Sequence, residues 1–222
     1  MSLTRKQFLQ NLAWGTGGLA AYSSLGFIGA PVWSGQTIKA IVIDYDTCAG
    51  CRSCEIACSA WNNPVVKQGE TLKGLGNPAD SNIKVWRYNP PVDVPVSCFL
   101  CKDAPCVDAC PVEPHAETGR KALYRTDKTA AIVCDHDRCI GCESCAYTCK
   151  TERGGVIFPD ENGHPRQMCT LCNGDPSCVK WCPYQALHYL EVTADMELRN
   201  QSPDQIASAL IKHYYELNPA EL

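Results

Sequence analysis

The feature that most constrains this 222-residue chain is the placement of its cysteines, because sixteen of the seventeen fall into four groups of four. The first group is Cys48, Cys51, Cys54 and Cys58, and the second is Cys98, Cys101, Cys106 and Cys110. The third is Cys139, Cys142, Cys145 and Cys149, and the fourth is Cys169, Cys172, Cys178 and Cys182. Groups one and three share the spacing C-x2-C-x2-C-x3-C, whereas groups two and four widen the middle gap to C-x2-C-x4-C-x3-C-P and C-x2-C-x5-C-x3-C-P. This alternation is an internal repeat. Only Cys134 stands outside it.

The spacing has a physical reason. Three closely spaced cysteines curl their sulfurs around three corners of an iron–sulfur cube, while a fourth, three residues further on, is turned toward a second cube. One motif therefore serves two clusters. Pro111 and Pro183 follow the last cysteine of groups two and four, where a residue without an N–H redirects the chain. Disulfides do not require this register, and an odd total leaves one thiol unpaired. A structural zinc site joins two separated pairs, so the crowded triplets would leave thiolates without a role. The cysteine share approaches that of small disulfide scaffolds, yet the chain is about twice their size and is 45% apolar.

These motifs resemble the four-cluster ferredoxin-like beta subunits that accompany molybdenum or tungsten oxidoreductases, such as those of the dimethyl sulfoxide reductase group. The resemblance covers nearly all of the chain after residue 38. The run from Cys169 to Pro183 is also similar to partners of tungsten aldehyde oxidoreductases and of carbon monoxide dehydrogenase. The resemblance implies four [4Fe–4S] clusters and a nested pairing of motifs. Cys48, Cys51 and Cys54 would share a cluster with Cys182, and Cys169, Cys172 and Cys178 one with Cys58. Cys98, Cys101 and Cys106 would join Cys149, and Cys139, Cys142 and Cys145 would join Cys110. Spacing alone does not exclude a sequential pairing, one with two and three with four. Some members of the family replace a cysteine of the third group and hold a three-iron cluster, but all four are present here. Ser59 and Lys150 depart from the proline that often follows such motifs in ferredoxins.

The expected fold class is α+β: two ferredoxin-like [4Fe–4S] lobes with nested motif pairing, built from short strands and helices and rich in loop. Strands are expected over 40–44, 83–88, 122–124, 129–133 and 187–192. Residues 36–97 would form the first half of the outer lobe plus an insertion, 98–150 the inner lobe, 151–192 the second half of the outer lobe, and 193–222 a helical extension. Ser202, Pro203 and Asp204 make a helix start, after which Ile206, Leu210, Ile211 and Tyr214 share one face. That face would pack on the lobes or dock a partner. Trp181, between Cys178 and Cys182, is expected to be buried, and Cys134 to pack near a cluster. Lys102, Lys150, Lys180 and Arg52 stand beside ligands, either as solvated surface or as cations that favour the reduced state.

Function follows as electron relay. The formal charge is −4 and no basic stripe is visible, which excludes a general nucleic-acid binder. No dinucleotide loop, Walker loop or Ser/His/Asp set has a convincing context, so the chain brings no substrate chemistry of its own. The resemblance implies a molybdenum or tungsten pterin catalytic subunit as partner, together with a membrane-anchor quinone-reactive subunit or a cytochrome. The alternative is a free-standing soluble polyferredoxin. Residues 1–35 read as a leader or N-terminal anchor, since Arg5 and Lys6 precede a long uncharged, moderately apolar run. Thr4-Arg5-Lys6-Gln7-Phe8-Leu9 resembles a twin-arginine export signal with Lys6 in place of the second arginine. The expected location is the periplasm, in anaerobic respiration.

Overall fold

The computed structural model describes residues 37–193 and 201–217. The leader and its export motif lie outside these residues. The described chain is a mixed helix and strand structure in which strands pair two by two, and no sheet among the described residues exceeds two strands. The first strand, β1 (Thr37–Ile43), pairs antiparallel with the last, β10 (Leu187–Thr193), from Thr37 opposite Thr193 to Ile43 opposite Leu187. Two segments far apart in sequence are thus clamped together. Between them, α1 (Ser53–Asn62) carries the end of the first motif and is followed by an exposed hairpin of β2 (Val65–Lys67) and β3 (Glu70–Leu72). Gln68 and Gly69 turn that hairpin with φ of 53° and 82°, as a two-residue loop with two left-handed centres requires.

A second hairpin joins β4 (Ile83–Arg87) to β5 (Asp93–Ser97). Pro95 is tolerated within β5 because a two-stranded sheet leaves each strand one free edge. The chain then passes through α2 (Pro105–Asp108), β6 (Leu123–Arg125), β7 (Ile132–Cys134) and α3 (Ser144–Glu152). Two-residue strands β8 (Phe158–Pro159) and β9 (Pro165–Arg166) follow, then a 3-10 turn over Leu171–Gly174, α4 (Ser177–Lys180) and β10. The five strands expected from sequence are present as β1, β4, β6, β7 and β10, with shifted ends. The others were too short or too polar to announce themselves.

The core is divided among the cysteine motifs rather than gathered in one place. Ile83 and Leu187 pack with Cys54, Cys58 and Cys178. Leu100 and Leu171 pack with Cys169, Ile38 and Val192. Val92, Val94 and Val96, on or beside β5, pack with Cys106, Cys145 and Cys149 and with the C-terminal helix α5 (Pro203–Tyr215). That helix opens on the expected signal: Ser202 Oγ accepts from Gln205 N, and the Gln205 side chain accepts from Ser202 N at 2.8 Å, a complete capping box. Ile206, Ala207, Leu210 and Ile211 are buried, while Tyr214 is exposed. Three tyrosines fasten the helix: Tyr88 Oη donates to Asp204 at 2.7 Å, Tyr215 Oη to the Pro91 carbonyl at 3.0 Å, and Tyr214 Oη to Asp46. The apolar face therefore packs on the chain's own body. Among the described residues, no helix is long and apolar enough to cross a membrane.

Candidate metal centres

In each motif the chain is bent into a left-handed turn at the same place, two residues after the first cysteine. Gly50, Leu100, Gly141 and Leu171 have φ of 62°, 54°, 65° and 52°. This conformation curls the first two sulfurs toward a common side. The alternation of the repeat is explained here. A Cβ on Gly141 would stand 2.1 Å from the Asn162 carbonyl oxygen, and one on Gly50 would stand 2.1 Å from the Asp93 carboxyl group. In the other two motifs the equivalent site faces the apolar cluster around Cys169, so Leu100 and Leu171 accept the backbone strain and fill it.

The third cysteine of motifs one and three lies at the start of α1 or α3, and the fourth lies one turn later. At 1.5 Å of rise per residue, four residues advance the chain about 6 Å. The fourth thiol is thereby carried away from its own triplet toward another. Strand pairing decides which. β1 leads into motif one and β10 leaves motif four, and their ladder is extended by Asp44 N donating to the Ala186 carbonyl at 2.8 Å. β6 leaves motif two and β7 leads into motif three, extended in the same way by Asp135 N to the Ala122 carbonyl at 2.7 Å.

The resulting neighbours are nested rather than sequential. Cys48 and Cys54 interact electrostatically with Cys51, and Cys48 also with Cys182. Cys58 interacts with Cys172, Cys178 and Cys169. Cys98, Cys101 and Cys106 each interact with Cys149. Cys139, Cys142 and Cys145 line one cleft together with Cys110. Between quartets, Cys54 neighbours Cys178, Cys98 neighbours Cys169, and Cys106 neighbours Cys145. The quartets form a row in the order of Cys48, Cys169, Cys98 and Cys139. The two exposed thiols, Cys51 and Cys142, belong to the quartets at its two ends.

The donor set around the sulfurs suits iron–sulfur clusters. Backbone N–H groups point at the sulfurs: Asn82 N to Cys58 at 3.2 Å, Ala186 N to Cys182 at 3.3 Å, Leu171 N to Cys169 at 3.4 Å and Ser177 N to Cys172 at 3.5 Å. Such donors stabilise thiolate charge. Burial acts in the opposite direction, pushing Cys54 and Cys98 up to about 12 and Cys145 to about 11. A thiol held this way keeps its proton until a metal replaces it. Exposed Cys142 is the exception, held below the usual thiol value by hydrogen bonds from the Ser144 hydroxyl and backbone. No disulfide joins any of the seventeen cysteines. Among the described residues, no three Cys, His, Asp or Glu side chains converge as a single-ion site does.

The neighbours of the motifs divide between surface and site. Lys102, Lys150, Lys180 and Arg52 are all exposed; Lys180 pairs with Asp175, and Arg52 pairs at 2.6 Å with Glu55. Two further cations, Arg125 and Arg153, lie beside the thiols of the second motif. Arg153 bonds the Cys101 thiol and the Asp103 carboxylate. Arg125 donates to the carbonyls of Cys101 and Ala130 and feels the charges of Cys98, Cys101 and Cys106. Neither adjoins a motif in sequence, so no local signal marks them. Trp181 is not buried but 62% exposed, with Lys73 Nζ 5.7 Å from its ring centroid. Fully buried Glu55, beside Cys54, accepts from Val85 N at 2.9 Å and so ties α1 to β4. Cys134 packs beside Cys110 and Cys139, near the last motif of the row, as expected.

A chain whose thiols are gathered into quartets, in a row, with short strands doing little besides clamping them, defines a polyferredoxin-like class of protein. The comparisons agree. No protein-family profile matches the chain. The polyferredoxin-like subunit of an aliphatic sulfonate oxidoreductase from Pyrococcus furiosus is 33% identical over 149 residues, 64% of this chain and 70% of that subunit. A sulfite dehydrogenase subunit from Allochromatium vinosum is 29% identical over 208 residues, 83% of this chain and 79% of its own length. The iron–sulfur subunit of the nitrate-inducible formate dehydrogenase of Escherichia coli is 28% identical over 195 residues, and the match spans 80% of this chain but 63% of that longer subunit. The chain belongs to the family of iron–sulfur electron-transfer subunits of oxidoreductases.

Proposed function

We propose that the chain holds four [4Fe–4S] clusters in two ferredoxin-like lobes and relays electrons between a molybdenum or tungsten pterin catalytic subunit and a second redox partner, a membrane quinone module or a cytochrome. The ligand sets are those of the nested pairing: Cys48, Cys51, Cys54 and Cys182; Cys58, Cys169, Cys172 and Cys178; Cys98, Cys101, Cys106 and Cys149; Cys110, Cys139, Cys142 and Cys145. The observation that carries this reading is the row itself, since each quartet draws on two motifs and adjoins the next through one pair of thiols. When bound, the clusters supply reversible one-electron chemistry. The chain's own contribution is to bury the inner thiols, leave one thiol exposed at each end, and offset cluster charge with backbone N–H groups and the two arginines near Cys101.

Export of the loaded protein through a twin-arginine route fits this reading. Thiolates persist in a reducing compartment while the periplasm favours disulfides, so clusters are best inserted before translocation. The partner assignment is tested by isolating the native complex without air. It is expected to contain a larger subunit that carries molybdenum or tungsten. If the chain instead elutes alone with its clusters and exchanges electrons with many unrelated acceptors, it is a free-standing carrier.

A further inference from the structure

Five thiols, not four, line the cleft at the end of the row: Cys110, Cys134, Cys139, Cys142 and Cys145. Cys134 lies beside Cys139, Cys145 and Cys110 in that cleft. It faces the same centre as three of the four expected ligands there. Its place is fixed by backbone, because Cys134 ends β7 opposite Leu123 and the following loop is closed by Cys139 N donating to the Asp135 carbonyl at 3.0 Å.

The internal repeat shows what that position needs for packing alone. Ile43-Asp44-Tyr45-Asp46-Thr47-Cys48 and Cys134-Asp135-His136-Asp137-Arg138-Cys139 are equivalent segments. In both, the aspartate carbonyl accepts from the first motif cysteine, at 3.1 Å in the first segment, and the strand ends opposite a leucine. Ile43 fills this position at the other end of the row and packs against the cluster of Cys54, Cys58 and Cys178. An aliphatic side chain therefore suffices there, and sulfur at Cys134 is an addition.

We propose that Cys134 is an exchange ligand for the quartet of Cys110, Cys139, Cys142 and Cys145, taking the place of Cys139. The inference rests on the cluster assignment above. In the exchange the iron–sulfur bond to Cys139 breaks as one to Cys134 forms, and the proton of the Cys134 thiol passes to the departing Cys139 sulfur in the same cleft. No electron is gained or lost. The quartet that includes exposed Cys142 thus keeps four thiolates when one ligand is displaced or damaged.

The test compares iron content and the electron paramagnetic resonance of the reduced, anaerobically purified full chain. Cys139→Ala is expected to keep the wild-type iron content with one altered signal, whereas Cys134→Val/Cys139→Ala loses about a quarter of the iron, one cluster of four. Equal iron loss in the single and double variants overturns the proposal, as does equal loss in Cys134→Val alone. If Cys139→Ala does not accumulate, Cys139→Ser with and without Cys134→Val is read in the same way. A wild-type chain holding fewer than four clusters would count against the cluster assignment instead, and is distinguished by its own iron content.

Discussion

Arg153 shows how a single side chain away from the motifs reaches a metal centre. It sits one residue beyond α3, yet bonds the Cys101 thiol and is anchored by Asp103. A cation beside a cluster stabilises the more negative reduced state, so in the proposed four-cluster protein Arg153→Gln is expected to lower the potential of one cluster and leave the others in place. The loss of one partly buried charged hydrogen bond is roughly 1 kcal/mol, about 40 mV for a one-electron couple. Redox titration followed by electron paramagnetic resonance checks this, and an unchanged set of four potentials contradicts it. The four cysteine motifs are legible because their spacing is written along the chain itself. Arg125 and Arg153 are not, since their proximity to Cys101 is created only when β6 and α3 fold back on motif two. Lys102, Lys150, Lys180 and Arg52 take the solvated-surface alternative, because flanking a cysteine in sequence leaves a side chain free to point outward into water. Trp181, expected to be buried, points outward in the same way.

At the level of elements, local chemistry was most informative where it had a mechanism of its own. The capping box at Ser202 and the apolar stripe of α5 follow from helix geometry, and both are found. Ile206, Ala207, Leu210 and Ile211 pack with Val92, Val94 and Val96 beside Cys106 and Cys145. Ile206→Ala removes a side chain that is 1% exposed and is expected to cost roughly 2–5 kcal/mol, by lost burial and the cavity left behind. Thermal unfolding of the loaded protein measures it, and a midpoint shift of less than a degree would show that the helix contributes little to the body. β5, by contrast, gives little warning: five residues with a proline among them carry no strong strand signal, and only pairing with β4 makes them a strand. The pairing of β6 with β7 and of β1 with β10 was equally invisible in spacing. Those two ladders favour the nested neighbours over the sequential ones.

For the molecule as a whole, the cysteine clusters replace much of an ordinary core, and the apolar residues form small groups around them. Removing the metal therefore removes the reason for the buried thiols to lie together, and thiols whose protonated form is favoured by burial gain nothing from mutual approach. The proposed relay requires that the chain cage four inorganic cubes. The direct measurement is quantitation of iron and acid-labile sulfide per chain in protein purified without air. About sixteen of each are predicted, four per cluster. A colourless protein with no labile sulfide, its sulfurs joined to one another or to zinc, would contradict it.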